Sequence, residues 1–177
     1  MQDGIEFYHK KLFSKAQECF IDELKNLNED SDRYCEVLEY LIEISKKINN
    51  KDIKVYYSKI IEFHFKKSNY TKIIKYSKQE LELKAEILTI KAMYFLGMLE
   101  EFEQRTKKIL ETCLEEKLHS YTEELCTWLK DKKKYSLMPL FAELMVAVEV
   151  NHNSKVVEVT NFIEKLILHS TLISCNY

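Results

Sequence analysis

Residues 31–50 read SDRYCEVLEYLIEISKKINN, and this stretch decides the fold. Ser31 can cap a helix, because its hydroxyl oxygen accepts one of the backbone N–H groups that a first turn leaves unpaired. Tyr34, Val37, Leu38, Leu41, Ile42, Ile44 and Ile48 then recur at the three- and four-residue steps of an amphipathic helix. Asn49-Asn50-Lys51-Asp52 ends the pattern. One helix is thus started by a serine and stopped by a polar turn that contains neither Gly nor Pro.

The same grammar extends in both directions. Upstream, Asp3 with Glu6 and Ser14 with Gln17 stand three residues apart, as in N-terminal capping pairs, and predict helices over 3–12 and 14–27. Ala16, Cys19, Phe20, Ile21, Leu24 and Leu27 form the apolar stripe of the second, and Asn28-Glu29-Asp30 breaks it. Downstream, helices are expected over 52–66, from Tyr70 onward, over 83–98 ending at Gly97, and over 100–117. Ser120 and Glu123 read as a capping box for a short helix carrying Leu125, Cys126 and Leu129. Ser136 reads as the next cap, with Pro139 in the first turn, where its missing N–H does no harm. A last helix is expected over 154–170. The expectation is an all-α chain of antiparallel helix hairpins, about ten helices on short turns, forming a single domain over 1–177.

Composition supports this reading. Of 177 residues, 46% are hydrophobic, enough for a sizeable core, and 32% are charged, which suits many helices with wet outer faces. Only 2 Gly and 1 Pro occur, whereas sandwiches and α/β folds need Gly at many corners. The net charge of −2 is unevenly spread: residues 1–41 carry 5 basic and 10 acidic side chains, residues 42–84 carry 11 and 5. The basic middle can attract an acidic partner or simply solvate outer helix faces. The five cysteines, Cys19, Cys35, Cys113, Cys126 and Cys175, form no CxxC pair. With no N-terminal signal-like segment, reduced thiols and a cytoplasmic location are expected. No apolar run reaches the roughly 18–20 residues of a membrane span, so no membrane partner is expected.

Aromatics recur after turns. Tyr70, Phe102 and Tyr135 each stand near an expected helix start, 32 and then 33 residues apart. At the N-terminus, Gly4, Phe7, Phe13, Ala16 and Phe20 resemble the tetratricopeptide motif, with its small residue, aromatics and helix-B alanine; Met93, Leu96, Phe102, Arg105 and Ile109 occupy the same slots with Arg105 in place of the alanine. The resemblance implies hairpins stacked as a short tetratricopeptide-like α-solenoid. Phe13 opens the second helix, whereas the other three aromatics open the fifth, seventh and ninth, so either helix 31–48 is an insertion or one match is accidental.

Chemistry is sparse. Two Glu-x-x-His pairs, Glu116/His119 and Glu149/His152, put both ligands on one helical face, as in di-metal bundles, but both stand at expected helix ends and 33 residues apart, so no metal and no cofactor is expected. No HExxH, GxSxG or glycine-rich phosphate loop occurs. His64, between Phe63 and Phe65, reads as a core histidine, and nothing points to an enzyme.

The functional expectation is therefore a non-catalytic protein- or peptide-binding module. The tetratricopeptide resemblance implies a concave face of Lys59, Glu62, Lys66, Ile90, Tyr94, Glu123 and Thr127. The alternatives are a nucleic-acid binder using Lys66, Lys67, Lys72, Lys75 and Lys78 with Tyr70 and Tyr76 in the basic 42–84 segment, and a helical-bundle metal protein. The apolar end 171–177 lacks the polar cap of solenoid termini and marks either a homodimer contact through a terminal helix or a chain that continues in a longer protein.

Overall fold

The computed structural model describes residues 2–132, 137–161 and 163. Among these the chain is helical with no strand: α1 (Gln2–His9), α2 (Phe13–Asn26), α3 (Asp32–Ile48), α4 (Ile53–Lys66), α5 (Tyr70–Tyr76), α6 (Leu83–Phe95), α7 (Leu99–Glu115), α8 (His119–Asp131), α9 (Leu137–Glu149) and α10, which begins at 153. No described helix is long and apolar enough to cross a membrane. The single domain that the length suggests over 1–177 is organised as two compact units, Met1–Phe102 and Glu103–Tyr177. Tyr135, Ser136 and the apolar end 171–177 lie outside the described residues.

The turns explain how the chain manages with so little glycine. Lys11, Asn49, Ser68, Gly97, Lys117 and Asn151 all have left-handed backbone, with φ between 52° and 73°. After each, the next N–H reaches back five residues, as in Leu12 N–H to Phe7 O at 2.9 Å and Asn69 N–H to His64 O at 2.8 Å. This is the Schellman closure, which satisfies helix-end carbonyls and reverses the chain within three residues. A non-glycine residue there is strained by roughly 1 kcal/mol, so the closure is sustained by the packing of the helices it joins.

These turns also set the register. Phe13 and Tyr70 each follow a left-handed residue by two positions, whereas Phe102 follows Gly97 by five, and Leu99 takes the equivalent place. Phe13 and Tyr70 are therefore structural counterparts, and Phe102 is not one of them. Helix α3 is part of the core: it packs on both α2 and α4, and Val37, Leu38, Leu41 and Ile44 are fully buried. Two capping expectations are corrected. The N-caps of α2 and α8 are Leu12 and Leu118, with no side-chain cap, because the tight turn leaves one residue before the helix and places Ser14 and Ser120 inside its first turn. Ser31 does cap α3, its Oγ accepting the Tyr34 N–H at 3.2 Å.

In the first unit each helix packs on the next, and α4 contacts α3, α5 and α6. Its core joins Ala16 and Phe20 of α2, the α3 stripe, Ile60 and Ile61 of α4, and Ile73 of α5. Burial of each large aliphatic side chain contributes roughly 1.5–3 kcal/mol. Gly4 lets α1 approach α2: a Cβ there would meet Cys19 Cβ and a Phe20 ring carbon at 3.3 Å. In the second unit α8 packs on α9, burying Leu125, Cys126 and Leu129 of α8 and Leu140, Val146 and Ala147 of α9.

Candidate functional site

Three of the seven residues expected on a binding face come together. Lys59, Glu62 and Lys66 lie along one side of α4 and line a cavity of about 170 Å³ with Tyr34. Ile90 does not belong to any face: it is fully buried, because it points from α6 into the core. Tyr94 is held by its neighbours, packed against Phe95 and tilted on Phe102 at 5.7 Å. Glu123 and Thr127 belong to α8 in the second unit.

A larger groove, of about 590 Å³, opens on α3. It is lined by Tyr8 of α1 and by Arg33, Glu36, Glu39, Tyr40 and Glu43. Steps of three and four residues put Glu36, Glu39, Tyr40 and Glu43 on the one stripe of α3 that the core does not cover. The carboxylates are oriented by their neighbours. The Tyr8 hydroxyl donates to Glu43 Oε2 at 2.5 Å, and the Tyr76 hydroxyl donates to Glu39 Oε1 at 2.9 Å. Hydrogen bonding to Glu43 and burial hold the Tyr8 phenol above its usual range; burial and then the bond to Glu39 do the same to Tyr76. Both tyrosines thus stay protonated donors and leave the carboxylate charge in place. Glu36 is compensated by Arg33 Nη1 at 3.0 Å, and Arg33 Nε also reaches Glu23 at 2.8 Å. Glu39 and Glu43 have no ion-pair partner among the described residues. Tyr40 stands between them, stacked on Phe20 at 4.9 Å and meeting the Tyr8 ring edge-on at 5.3 Å. Only the acidic excess of residues 1–41 signalled this groove in the sequence; its pairing with Tyr8 spans 35 residues.

A Cys–His contact is buried in the first unit. Cys35 Sγ lies 3.7 Å from His64 Nε2. Burial pushes the thiol up to about 11 and the imidazole below its usual value, so both partners are neutral. A nucleophilic cysteine requires a thiolate and an approach for substrate. Neither cavity opens on this pair, which serves as a packing contact.

The two Glu-x-x-His pairs do not assemble as pairs. His119 Nε2 lies 3.3 Å from Glu149 Oε2, one member of each, while Glu116 is exposed. His152 instead starts α10, its Nδ1 accepting the Lys155 N–H at 3.4 Å. No group of three or more His, Cys, Asp or Glu among the described residues is disposed to hold a metal ion. In the basic segment, Lys67, Lys72, Lys75 and Lys78 are exposed, but Tyr70 is stacked on Phe95 at 4.8 Å and Tyr76 is buried, so these rings are committed to packing. No protein-family model, no curated protein and no solved structure matches this chain.

Proposed function

We propose that this chain is a non-catalytic protein-interaction module of tetratricopeptide-like hairpins that holds a lysine- or arginine-rich segment of a partner protein in the α3 groove. The observation that carries this reading is the pair Glu39 and Glu43, one helical turn apart, oriented by tyrosine hydroxyls and without an ion-pair partner among the described residues. An ammonium or guanidinium group between them would gain charge-assisted hydrogen bonds, and the rings of Tyr8 and Tyr40 favour a cation beside them. The volumes favour the α3 groove: about 590 Å³ accommodates side chains of a segment, whereas about 170 Å³ at Lys59, Glu62 and Lys66 is small for one. A reducing, cytoplasmic compartment belongs to this reading, and the free thiols Cys19, Cys35, Cys113 and Cys126 fit it.

The test is binding of a labelled lysine-rich peptide and of its charge-reversed counterpart, followed by anisotropy at low and high salt. The basic peptide should bind, weaken steeply as salt rises, and lose most of its affinity on Glu39→Gln/Glu43→Gln. Equal binding of the acidic peptide, or an unchanged affinity in the double variant, rejects the reading. Co-purification with mass spectrometry, comparing wild type with the same double variant, would then identify the partner.

A further inference from the structure

The smaller cavity carries a separate inference. It follows the outer side of α4, and its charges are only partly compensated. Lys66 is paired with Glu29 at 3.8 Å and Asp30 at 3.5 Å, and Glu62 with Lys84 at 3.1 Å. That leaves Lys59 and Glu82, both lining the cavity, without an ion-pair partner among the described residues. Glu82 is fixed at this place because its backbone N–H donates to Ser58 Oγ at 3.3 Å. The third uncommitted group is the Tyr34 hydroxyl. Its side chain is 4% exposed, it lines the cavity, and it has no hydrogen-bond partner among the described residues. Burial, and then the nearby Glu29 and Glu62, hold this phenol above its usual range, so it remains a donor. Val55 and Phe63 add an apolar wall.

One cation, one anion, one donor and an apolar wall define the complement of a small zwitterion. The volume of about 170 Å³ lies below the roughly 300–1,000 Å³ of pockets for drug-sized ligands, which limits the occupant to a small molecule. We infer that this cavity binds a free aliphatic α-amino acid, its carboxylate on Lys59 and the Tyr34 hydroxyl, its ammonium on Glu82, and its side chain against Val55 and Phe63. This site is independent of the α3 groove and of the partner proposed for it.

The test is titration calorimetry of the full chain with valine, leucine and isoleucine at up to millimolar concentration, with leucine methyl ester and N-acetyl-leucine as ligands lacking one charge each. The free amino acid should bind and each derivative should bind about tenfold more weakly or not at all. Tyr34→Phe should weaken binding about tenfold, because a hydrogen bond to a charged group is lost while the ring still fills its place. Lys59→Met, at an exposed position that leaves the core intact, should abolish it, and both variants should still bind the basic peptide. Absence of binding by all three amino acids, derivatives that bind as well as leucine, or unchanged affinity in either variant overturns the inference.

Discussion

The imidazole of His64 on α4 meets the thiol of Cys35 on α3 at 3.7 Å and lies parallel to the ring of Tyr76 on α5, so one buried side chain ties three helices together. Its Nδ1 is buried without a hydrogen-bond partner. An imidazolium would present two N–H donors, and among the described residues its ring nitrogens meet only the Cys35 thiol.

This arrangement makes the first unit acid-sensitive. Burial is the main cause of the lowered His64 pKa; Lys72 and Lys75 of α5 act in the same direction, and Glu39 of α3 opposes them. The unfolded chain therefore binds this proton more readily than the folded one. Stability from neutral His64 is fully present above the unfolded value, near 6.5, and is lost as pH falls toward the folded one, at no more than about 1.4 kcal/mol per pH unit. Urea midpoints measured between about pH 7.5 and pH 5.5 should fall in the wild type and fall less in His64→Leu, which cannot titrate. Parallel pH profiles would show that His64 is not the responsible group.

The two glycines should respond to substitution for different reasons. Gly97→Ala places a Cβ at φ +73° with nothing within 4 Å, so it should cost about 1 kcal/mol through backbone strain alone. Gly4→Ala keeps helical backbone and gains up to about 1 kcal/mol of helix propensity, but its Cβ meets Cys19 Cβ and the Phe20 ring at 3.3 Å. Phe20 is fully buried and stacked on Tyr40, so it cannot yield, and net destabilisation is expected. The converse is Lys117→Gly, which relieves left-handed strain at an exposed turn and should stabilise by about 0.5–1 kcal/mol. Chemical melts of the three variants check all the signs.

Helices were legible in the sequence because periodicity reports which face of each segment is apolar. The stripe of Val37, Leu38, Leu41 and Ile44 is buried as its spacing implies, and Ser31 caps as its position implies. What the spacing could not report is which faces meet. Cys35 and His64 are 29 residues apart, and the Tyr8–Glu43 bond that closes one wall of the groove spans 35. Tyr70 and Phe102 look equivalent by interval, yet a left-handed closure decides the register, and at Lys11, Ser68 and Lys117 that closure is made without the glycine that would announce it. Ile90, which the tetratricopeptide resemblance puts on a concave face, is fully buried, because the resemblance does not fix which side of α6 meets the core.

Thiol chemistry should separate the cysteines by burial. Burial raises Cys35 to about 11 and Cys126 to about 12, and raises Cys113 as well, whereas Cys19 is only half-buried. In a Cys175→Ser background, a disulfide reagent at neutral pH should label Cys19 quickly in the native chain and the other three only after unfolding, since the thiolate is the reactive form. Fast labelling of Cys35 without unfolding would contradict the packing described around His64.

In the second unit the decisive group is Glu143 of α9, a carboxylate 4% exposed. Lys130 of α8 lies 2.5 Å from its Oε2, and Lys155 of α10 lies 3.5 Å from its Oε1 while also reaching Glu123 at 3.2 Å. One buried anion thus joins three helices, and the two kinds of substitution should behave asymmetrically. Lys130→Met/Lys155→Met strands a charge in the core and should cost about 3–5 kcal/mol. Glu143→Leu removes the charge, and the lysines, 30% and 25% exposed, can turn to solvent, so it should be much milder. Thermal melts of both variants at neutral pH decide the matter: a Glu143→Leu variant less stable than the double lysine variant would mean that the ion pairs do not govern this core.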